Sequence, residues 1–436
     1  MILKNVEKEI LAKQKKGEWI LPFYDKFCLS NIPATILDLF SLSAQRSLLP
    51  FFPEKYRKLA GTKHLKVVLL VIDAFGYYAW LQAAKEKSFY RTITKKGTLL
   101  PLTSVFPSTT TAGITSLQIG LTPQEHAFFE WHLYLRELDE VILSLPFSPI
   151  KPKAQDKLLE RGVDPKIILE SQVDRHIIYR KLRKAGIPSY VFASEPIAKS
   201  VYTTRIFQGG SVVAYKRSSD LVVALRKHLI NARGRSYFYT YWDGIDGMVH
   251  KYGPNTEEYL AEVRNFSVLL ERELLGKLPP KIARDVVILV TADHGHVPIS
   301  PARTIYLNQY RWLVKNFEKS RRRKPILPCG NPRDIFLHIQ PSKLPEVIRK
   351  LHHVLQGKAK VIRVEDAIRE GFFGVNSAGR KFRERAGNLL ILPSGNNSIW
   401  YEHIAGKKLD HLGHHGGLLK EEMLISLAIA RLSDLI

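Results

Sequence analysis

Three apolar segments of the chain lead into residue types that bind divalent metal ions. The run KVVLLVI is followed by Asp73, the run SYFYTYW is followed a few residues later by Asp246 and His250, and the run VVILVTA is followed by Asp293 and His294. Carboxylate and imidazole ligands together suit zinc as the first choice and manganese as the second. These residues predict a centre for divalent cations.

Spacing supports one pair in particular. Asp246 and His250 are four residues apart, so on a helical turn both side chains lie on one face and could hold one ion. Asp243 competes with them as the first acid after its apolar run. Taken singly, the motifs also fit structural roles, with Asp73 as a helix N-cap and His294 as a hydrogen-bonded turn residue. The residues alone leave both interpretations open.

A histidine-rich segment near the C-terminus supplies further imidazoles. It reads HLGHHGG over residues 411–417 and contains His411, His414 and His415 among glycines. Glycine lets the backbone approach a site closely, and short histidine-rich tracts bind metals readily. This composition suggests a metal site without specifying one.

A run of hydroxyl residues precedes a helical pattern in the first third of the chain. The segment SVFPSTTTAGITSLQIG, residues 104–120, carries four consecutive hydroxyls from Ser108 to Thr111. A hydroxyl at a helix N-terminus lies beside unpaired amide donors and the positive end of the helix dipole, which suits a phosphate group. The alternative is a hydroxyl N-cap with no further role.

The apolar runs also predict the fold class. They are continuously hydrophobic, which is typical of strands that are buried on both faces of a mostly parallel sheet between helices. In such α/β sheets the ligand crevice lies outside the carboxyl ends of the strands, so the acids that follow them are expected to converge there. The predicted strands cover residues 66–73, 188–193, 236–243 and 285–293.

The length of 436 residues exceeds what one core usually supports, so a smaller second unit is expected. A strand, helix and strand pattern at 333–340, 343–356 and 360–366 predicts a small inserted α+β cap. The predicted organisation is an N-terminal helical extension (1–60), the first part of the α/β core (61–300), the cap (301–384) and the final part of the core (385–436).

Charge and cysteine content indicate the surroundings in which the protein works. The net charge of +25 arises from 66 Lys and Arg against 41 Asp and Glu. It would attract phosphate-bearing partners such as a nucleotide, nucleic acid or an anionic membrane surface, and the alternative is a solvated basic surface with no bearing on partners. The two cysteines are too few for a disulfide framework, and no apolar stretch is long enough to span a membrane. We therefore expect a soluble cytoplasmic protein without a membrane partner, in an oligomeric state that the sequence leaves open.

The order of these motifs resembles the alkaline phosphatase superfamily, and most closely its type I phosphodiesterase/nucleotide pyrophosphatase branch. In that family the nucleophile follows a proline by three positions and precedes a Gly-hydrophobic-x-Pro-x-x-His signature by ten. Pro107 and the segment GLTPQEH at 120–126 both point to Thr110 in this chain. The family's Asp-x-x-x-His, Asp-His-Gly and final His-Gly motifs fall on Asp246 to His250, Asp293 to Gly295 and His415-Gly416.

The resemblance implies a metal-dependent phosphoric ester hydrolase with two divalent metal ions and a phosphothreonine intermediate on Thr110. It implies an alkaline phosphatase-like fold and gives His296 no ligand role, which leaves it a supporting or structural histidine. The implied ligands of the first ion are Asp73, Asp293, His294 and Thr110, and those of the second are Asp246, His250 and His415.

Departures from the family pattern keep other functions open. Nucleotide pyrophosphatases place an asparagine three residues after the nucleophile, whereas this chain has Gly113. The sulfatase nucleophile motif is absent, and a threonine run replaces the serine motif of cofactor-independent phosphoglycerate mutases. The predicted activity is a phosphodiesterase or nucleotide pyrophosphatase. The alternatives are a phosphomonoesterase or phosphomutase of the same fold and a non-catalytic, basic, nucleic-acid-associated protein.

Overall fold

A computed structural model describes residues 1–42, 44–150, 158 and 162–436 of the chain. Its main sheet has seven strands with helices on both faces. The strand Lys66–Ile72 lies between two other strands and all seven of its residues are buried, as its β-branched composition predicts. In chain order the strands are β1 (Lys66–Ile72), β2 (Thr98–Thr103), β3 (Ser189–Ser194), β4 (Ser211–Tyr215), β5 (Ser236–Trp242), β6 (Val286–Thr291) and β7 (Leu424–Arg431).

The spatial order of this sheet is β2-β7-β6-β1-β5-β3-β4. β1 pairs in parallel with β5 and β6, and β3 pairs in parallel with β5 and β4. β7 runs antiparallel to both of its neighbours. The carboxyl ends of β1, β5 and β6 therefore lie side by side, which confirms the predicted fold class and places the acids that follow these strands at one edge.

Helices connect the strands, and most of them lie on the two faces of the main sheet. The helices of seven or more residues are Lys4–Gln14, Ile32–Leu39, Tyr77–Ala83, Phe89–Lys96, Thr110–Ile119, Ile178–Lys184, Ser218–Asn231, Asp246–Tyr252, Glu257–Leu269, Leu344–Val354 and Arg380–Ala386. No helix in the described part of the chain has the length and apolar composition that crossing a bilayer requires.

A second sheet of seven strands takes its strands from three separate parts of the chain. The three strands at one end of this sheet bury their side chains against the helix Leu344–Val354. The predicted cap, 301–384, covers only part of this sheet, because the pairing also uses strands from 132–149 and 389–393. In spatial order the strands are Ala359–Arg363, Leu389–Pro393, Asp334–Leu337, Cys329–Asn331, His132–Leu135, Glu140–Leu143 and Ser148–Pro149.

The first sixty residues pack against the edge of the main sheet. Ile2 forms a parallel bridge with Leu99, and Cys28 forms one with Thr103, both of which belong to the edge strand β2. The backbone N–H of Leu3 donates to the carbonyl of Leu99 at 2.9 Å. The segment thus covers the unpaired edge of β2, where an exposed strand would otherwise be free to pair with another chain.

Candidate functional site

One group of potential metal ligands lies at the ends of β1 and β6. The Nε2 atom of His294 is 3.5 Å from Oδ1 of Asp73 and 3.5 Å from Oδ2 of Asp293, and their side chains are at most 4% exposed. The hydroxyl of Thr110 lies 3.1 Å from the same Nε2 atom. The structure thus brings together all four residues that the sequence assigned to the first ion.

Hydrogen bonds orient the two carboxylates of this group. Oδ1 of Asp293 accepts from the backbone N–H of Ala74 at 3.1 Å and of His294 at 3.0 Å, and Oδ2 of Asp73 accepts from the hydroxyl of Tyr241. The remaining oxygens, Oδ1 of Asp73 and Oδ2 of Asp293, are buried and make no hydrogen bond. Buried carboxylate oxygens without a partner are rare, and a cation between them would satisfy both.

Thr110 begins the helix Thr110–Ile119, which Thr109 caps by accepting a hydrogen bond from the N–H of Ala112. The nucleophile candidate is therefore separate from the residue that caps the helix. This first turn packs so tightly that a Cβ atom on Gly113 would lie 2.8 Å from Cβ of Asp293. The position that holds asparagine in the nucleotide pyrophosphatases has no room here for a side chain.

A second group lies beside the first and contains more imidazoles. Oδ2 of Asp246 is 3.5 Å from Nε2 of His250, and its Oδ1 is 3.9 Å from Nε2 of His415 and 3.1 Å from Nε2 of His296. The ligand atoms of these four residues lie within 4.8 Å of one another. The three residues predicted for the second ion are together, and His296 joins them.

His296 is the residue that the sequence left out of the ligand set. Its Nε2 and the nearby Oδ1 of Asp246 are buried, and neither makes a hydrogen bond. Nε2 of His296 and Oδ1 of Asp246 lie 3.1 Å apart, and a cation beside them would provide a partner for both. A signal existed in the spacing, because His296 follows His294 by two residues directly after a buried strand.

Three of the site histidines share one arrangement of the imidazole ring. The Nδ1 atoms of His250, His294 and His415 lie 2.9 to 3.1 Å from backbone carbonyl oxygens, namely those of Gly413, Gly295 and Ser108. A hydrogen on each Nδ1 donates to that carbonyl and leaves the Nε2 lone pair directed at the acids. Metal-bound histidines are commonly oriented in this way.

Short backbone contacts bring the loops of the second group together. Val297 pairs with His414 in a two-stranded antiparallel ladder, which joins the loop after β6 to the histidine-rich segment. The hydroxyl of Ser108 donates to the carbonyl of Gly417 at 2.7 Å, which joins that segment to the loop carrying the threonines. His415 is thereby held over the N-terminus of the helix that Thr110 begins.

Burial and charge shift the pKa values of the site residues in different directions. Burial raises the pKa of Asp73 well above its usual value, with Asp293 and Asp246 adding repulsion, so its carboxylate form needs a nearby cation to offset that repulsion. Burial lowers the pKa of His296 to about 4 and that of His415 well below its usual value, which keeps both imidazoles neutral at pH 7. Burial alone would raise the pKa of Asp246, but His250 and His296 hold it well below its usual value. The donor set fits divalent ions that accept oxygen and imidazole nitrogen.

Asp243, the competitor for the role of Asp246, lies outside both groups. It accepts a hydrogen bond from the hydroxyl of Ser194 at 2.8 Å and one from the hydroxyl of Tyr215 at 3.4 Å. These contacts give it a structural role at the ends of β3 and β4. Of the two acids, Asp246 is the one placed among the imidazoles.

A cavity of about 520 Å³ opens above Thr110 and continues under the second sheet. Its walls include Trp131 and Trp400, which offer aromatic surface, and the amines of Lys407 and Lys408. Asn331 also lines it and supplies a side-chain amide. The cavity therefore combines cationic, aromatic and hydrogen-bonding surfaces next to the two groups of ligands.

Solved structures show the same fold. An inactive variant of murine ectonucleotide pyrophosphatase/phosphodiesterase 5 in complex with AMP has a TM-score of 0.60 and 18% identity, covering 84% of this chain and 87% of that chain. Phosphonoacetate hydrolase from Sinorhizobium meliloti in complex with phosphonoformate has a TM-score of 0.58 and 19% identity, covering 84% and 90%. Both likenesses confirm the predicted alkaline phosphatase-like fold.

Sequence comparison supplies the family. A search of curated proteins gives no significant match to the chain. The sequence profile of the type I phosphodiesterase/nucleotide pyrophosphatase family matches residues 67–418, which is most of the chain and contains both groups of ligands. The chain therefore belongs to the type I phosphodiesterase/nucleotide pyrophosphatase family.

Proposed function

We propose that the protein is a metal-dependent phosphoric diester hydrolase that acts on nucleotides or similar phosphate esters with Thr110 as its nucleophile. The observation that carries this proposal is the position of the Thr110 hydroxyl, at a helix N-terminus and 3.1 Å from His294, beside carboxylate oxygens that have no other partner. The same position would suit one oxygen of a substrate phosphate.

The residues present fit two divalent ions. Asp73, Asp293, His294 and Thr110 would hold one ion, and Asp246, His250 and His415, joined by His296, would hold the other. When bound, the ions would lower the pKa of the threonine hydroxyl, stabilise the leaving oxygen and promote attack by water. Three carboxylates around two divalent ions leave one positive charge, which favours a phosphate anion. Zinc is the first choice and manganese the second.

The chain's own residues set the geometry of two successive displacements. Thr110 Oγ1 loses its proton and forms a bond to phosphorus while the bond to the leaving alcohol or nucleotide breaks. The proton passes to the leaving oxygen or to solvent, and the enzyme is left as a phosphothreonine ester. Water then forms a bond to phosphorus as the bond to Oγ1 breaks, which restores the hydroxyl. Each displacement inverts phosphorus, so the product keeps the configuration of the substrate.

The cavity above Thr110 favours a diester over a monoester. A bound monoester would place its charged oxygens among the metal-ligand residues. A bound diester would also extend a second ester group away from those residues. The aromatic walls of Trp131 and Trp400 and the amines of Lys407 and Lys408 could receive that group. With no side chain at Gly113, the amide of Asn331 is our candidate for the hydrogen bond that the family's asparagine makes.

The test compares two chromogenic esters under one set of conditions. Bis-p-nitrophenyl phosphate and p-nitrophenyl phosphate are each supplied with chelated protein and then with added Zn²⁺ or Mn²⁺. Faster release from the diester, dependent on added metal, supports the proposal. Faster release from the monoester favours the phosphatase or phosphomutase alternative. No release from either ester, combined with DNA binding that weakens steeply with salt, favours the nucleic-acid-associated alternative.

A substitution on one helix identifies the nucleophile. Thr110→Ala should abolish hydrolysis of both esters, whereas Thr115→Ala on the same helix should keep it. The hydroxyl of Thr115 contacts that of Tyr202 at 2.8 Å and is buried away from the ligand groups. Full activity in Thr110→Ala would contradict the assignment.

A further inference from the structure

Two buried acids flank Asn331, the residue that we expect to contact the substrate phosphate. Asn331 ends one strand of the second sheet and Asp334 begins the next, and the two residues are paired across the turn between these strands. Glu130 lies two residues before a third strand of that sheet, His132–Leu135. Glu130 and Asp334 are fully buried, whereas Asn331 is 4% exposed and lines the cavity above Thr110.

Two neighbours determine which way the amide of Asn331 is turned. Its Oδ1 atom accepts from the backbone N–H of Arg333 at 2.9 Å, and its Nδ2 atom donates to Oε2 of Glu130 at 3.4 Å. An amide nitrogen has two hydrogens, so one N–H of Asn331 remains for another acceptor. Because Asn331 lines the cavity, an oxygen of a substrate phosphate can be that acceptor. Glu130 thus favours the orientation in which Asn331 offers the substrate a donor rather than an acceptor.

The side chains of Asn331 and Asp334 pack against Gly416 in the histidine-rich segment. A Cβ atom on Gly416 would lie 2.6 Å from the Oδ1 atoms of both Asn331 and Asp334. The backbone N–H of Gly416 donates to the hydroxyl of Ser108 at 3.2 Å, in the loop that leads to the candidate nucleophile. The amide of Asn331 is thus held against the loops that form the site.

The two acids need a proton between them. Oε1 of Glu130 and both carboxylate oxygens of Asp334 are buried and have no donor among the described residues, although the two carboxyl groups lie within hydrogen-bonding reach of each other. Burial raises the pKa of Glu130 to about 8, and burial together with the charge of Glu130 raises the pKa of Asp334 well above its usual value. Two buried carboxylates in contact do not both stay ionised. At pH 7 the pair therefore holds at least one proton, which can join the two groups in a hydrogen bond.

Other groups near the pair do not replace this proton. Among the described residues, Arg333, Glu422 and Cys329 are the other titratable groups that act on the pair. Arg333 donates from Nε and Nη2 to the two carboxylate oxygens of Glu422 at 3.0 and 3.2 Å, so its charge is already paired. Burial raises the pKa of the Cys329 thiol, which keeps that group neutral.

We propose that Glu130 is a positioning residue, which holds the amide of Asn331 with one N–H directed at the substrate phosphate, and that a proton shared with Asp334 keeps Glu130 in place. This inference rests on the proposed function, because Asn331 can act only if a phosphate ester binds in the cavity. As the pH rises above 8 the pair should lose protons, and repulsion between the carboxylates should disturb the amide.

Substitutions of Glu130 test the positioning role. Glu130→Met removes the acceptor, so kcat/KM for bis-p-nitrophenyl phosphate should fall about 10-fold or more, as expected for one hydrogen bond to a charged group. Glu130→Gln keeps an acceptor for Asn331 and a donor for Asp334, and it should retain the wild-type value. Asn331→Ala should lose as much as Glu130→Met, and the double variant should lose no more than Asn331→Ala alone. Losses that multiply in the double variant, or a loss in Glu130→Gln equal to that in Glu130→Met, would overturn the inference.

A second measurement follows the shared proton and needs no activity. In urea unfolding of the chelated protein, the wild type should lose stability relative to Asp334→Asn as the pH rises from 5 to 8, because the folded pair keeps protons that the unfolded acids have lost. Glu346→Gln is the control, since Lys350 lowers the pKa of Glu346 and leaves it ionised throughout this range. This control should follow the wild type. Equal pH dependence in the wild type and Asp334→Asn would overturn the shared proton.

The pH profile of hydrolysis connects the two measurements. The ratio of kcat/KM in Asp334→Asn to that in the wild type should rise above pH 8, because the amide of the variant has no proton to lose. A constant ratio would contradict the link between the proton and Asn331. A wild type that hydrolyses neither ester would sink the proposed function and the role of Asn331 with it. An active wild type with an equally active Glu130→Met would overturn the inference alone.

Discussion

The two halves of the candidate metal centre are built differently. The first group, with Asp73, Asp293 and His294, follows two adjacent buried strands and is at most 4% exposed. The second group begins on a helix and continues on loops, and the side chains of Asp246 and His250 are 21% and 18% exposed. The first group has few ligands in fixed positions, whereas the second has more imidazoles than one ion needs. We infer that the first group sets the geometry of attack and that the second tolerates change.

Removal of a fixed carboxylate should have the largest effect. Asp293→Asn removes the charge from a buried group whose other oxygen is held by two backbone amides. We expect the first ion to bind at least about 100-fold more weakly, because even residues that only support a ligand contribute 10 to 100-fold. Isothermal titration of the chelated protein with Zn²⁺ measures this change.

Asp243→Asn is the control for that substitution. Asp243 also follows a strand of the main sheet, but its hydrogen bonds go to Ser194 and Tyr215 and it lies outside both groups. The zinc affinity of the Asp243→Asn protein should equal that of the wild type. Equal losses in the two variants would mean that the first group does not hold an ion.

Replacing one histidine in each group should show that the two groups differ in their tolerance of substitution. His294→Gln should lower kcat/KM by more than about 100-fold, since no other imidazole belongs to the first group. His296→Gln should lower it by about 10-fold or less, because Asp246, His250 and His415 remain to hold the second ion. Hydrolysis of bis-p-nitrophenyl phosphate at saturating Zn²⁺ measures both. A larger loss in His296→Gln than in His294→Gln would reverse the comparison.

The smallest expected effect is on stability and comes from His126, a buried histidine that belongs to neither group. Burial lowers the pKa of His126 to about 3, and its ring contacts Ser116 and the N–H of Phe128. Its folded pKa lies below the unfolded value, so its contribution to stability is present above pH 6.5 and is lost as the pH falls towards 3. In this pH range the contribution of His126 to the free energy of unfolding should fall by about 1.4 kcal/mol per pH unit.

Urea unfolding of the chelated protein between pH 7 and pH 4.5 measures this slope. The free energy of unfolding of the wild type should fall more steeply with acid than that of His126→Gln, by about one proton per chain. Equal slopes would show that His126 is not the buried, neutral histidine that the structure places there. The comparison also supplies a reference for histidines without a proposed ion.

The sequence predicted the first half of the site more completely than the second. Residues that directly follow buried strands converge wherever parallel strands end, so the local patterns predicted that Asp73, Asp293 and His294 would meet at one edge of the sheet, whereas their roles as ligands came from the family resemblance. The positions of His411 and His414 depend on the pairing of Gly413–His414 with Val297–Pro298. That contact joins segments more than a hundred residues apart, and no local pattern predicts it.

The second sheet and the N-terminal segment also depend on contacts between segments that are far apart in the chain. The strand, helix and strand pattern after residue 330 was predicted and is present, but His132–Leu135 joins that sheet through one antiparallel bridge from His132 to Gly330. Residues 1–60 carry no interpretable motif, yet they cover the edge strand β2. Strand pairing between segments that are far apart in the chain depends on the assembled fold, which local sequence does not encode.

The configuration of the product at phosphorus tests the central proposal most directly. One diastereomer of a nucleoside 5′-phosphorothioate p-nitrophenyl ester is hydrolysed in water enriched in oxygen-18. The configuration of the labelled phosphorothioate product is then determined by phosphorus NMR. Two displacements through Thr110 predict retention. Inversion would mean that water attacks phosphorus directly, and it would contradict the role of Thr110 as nucleophile.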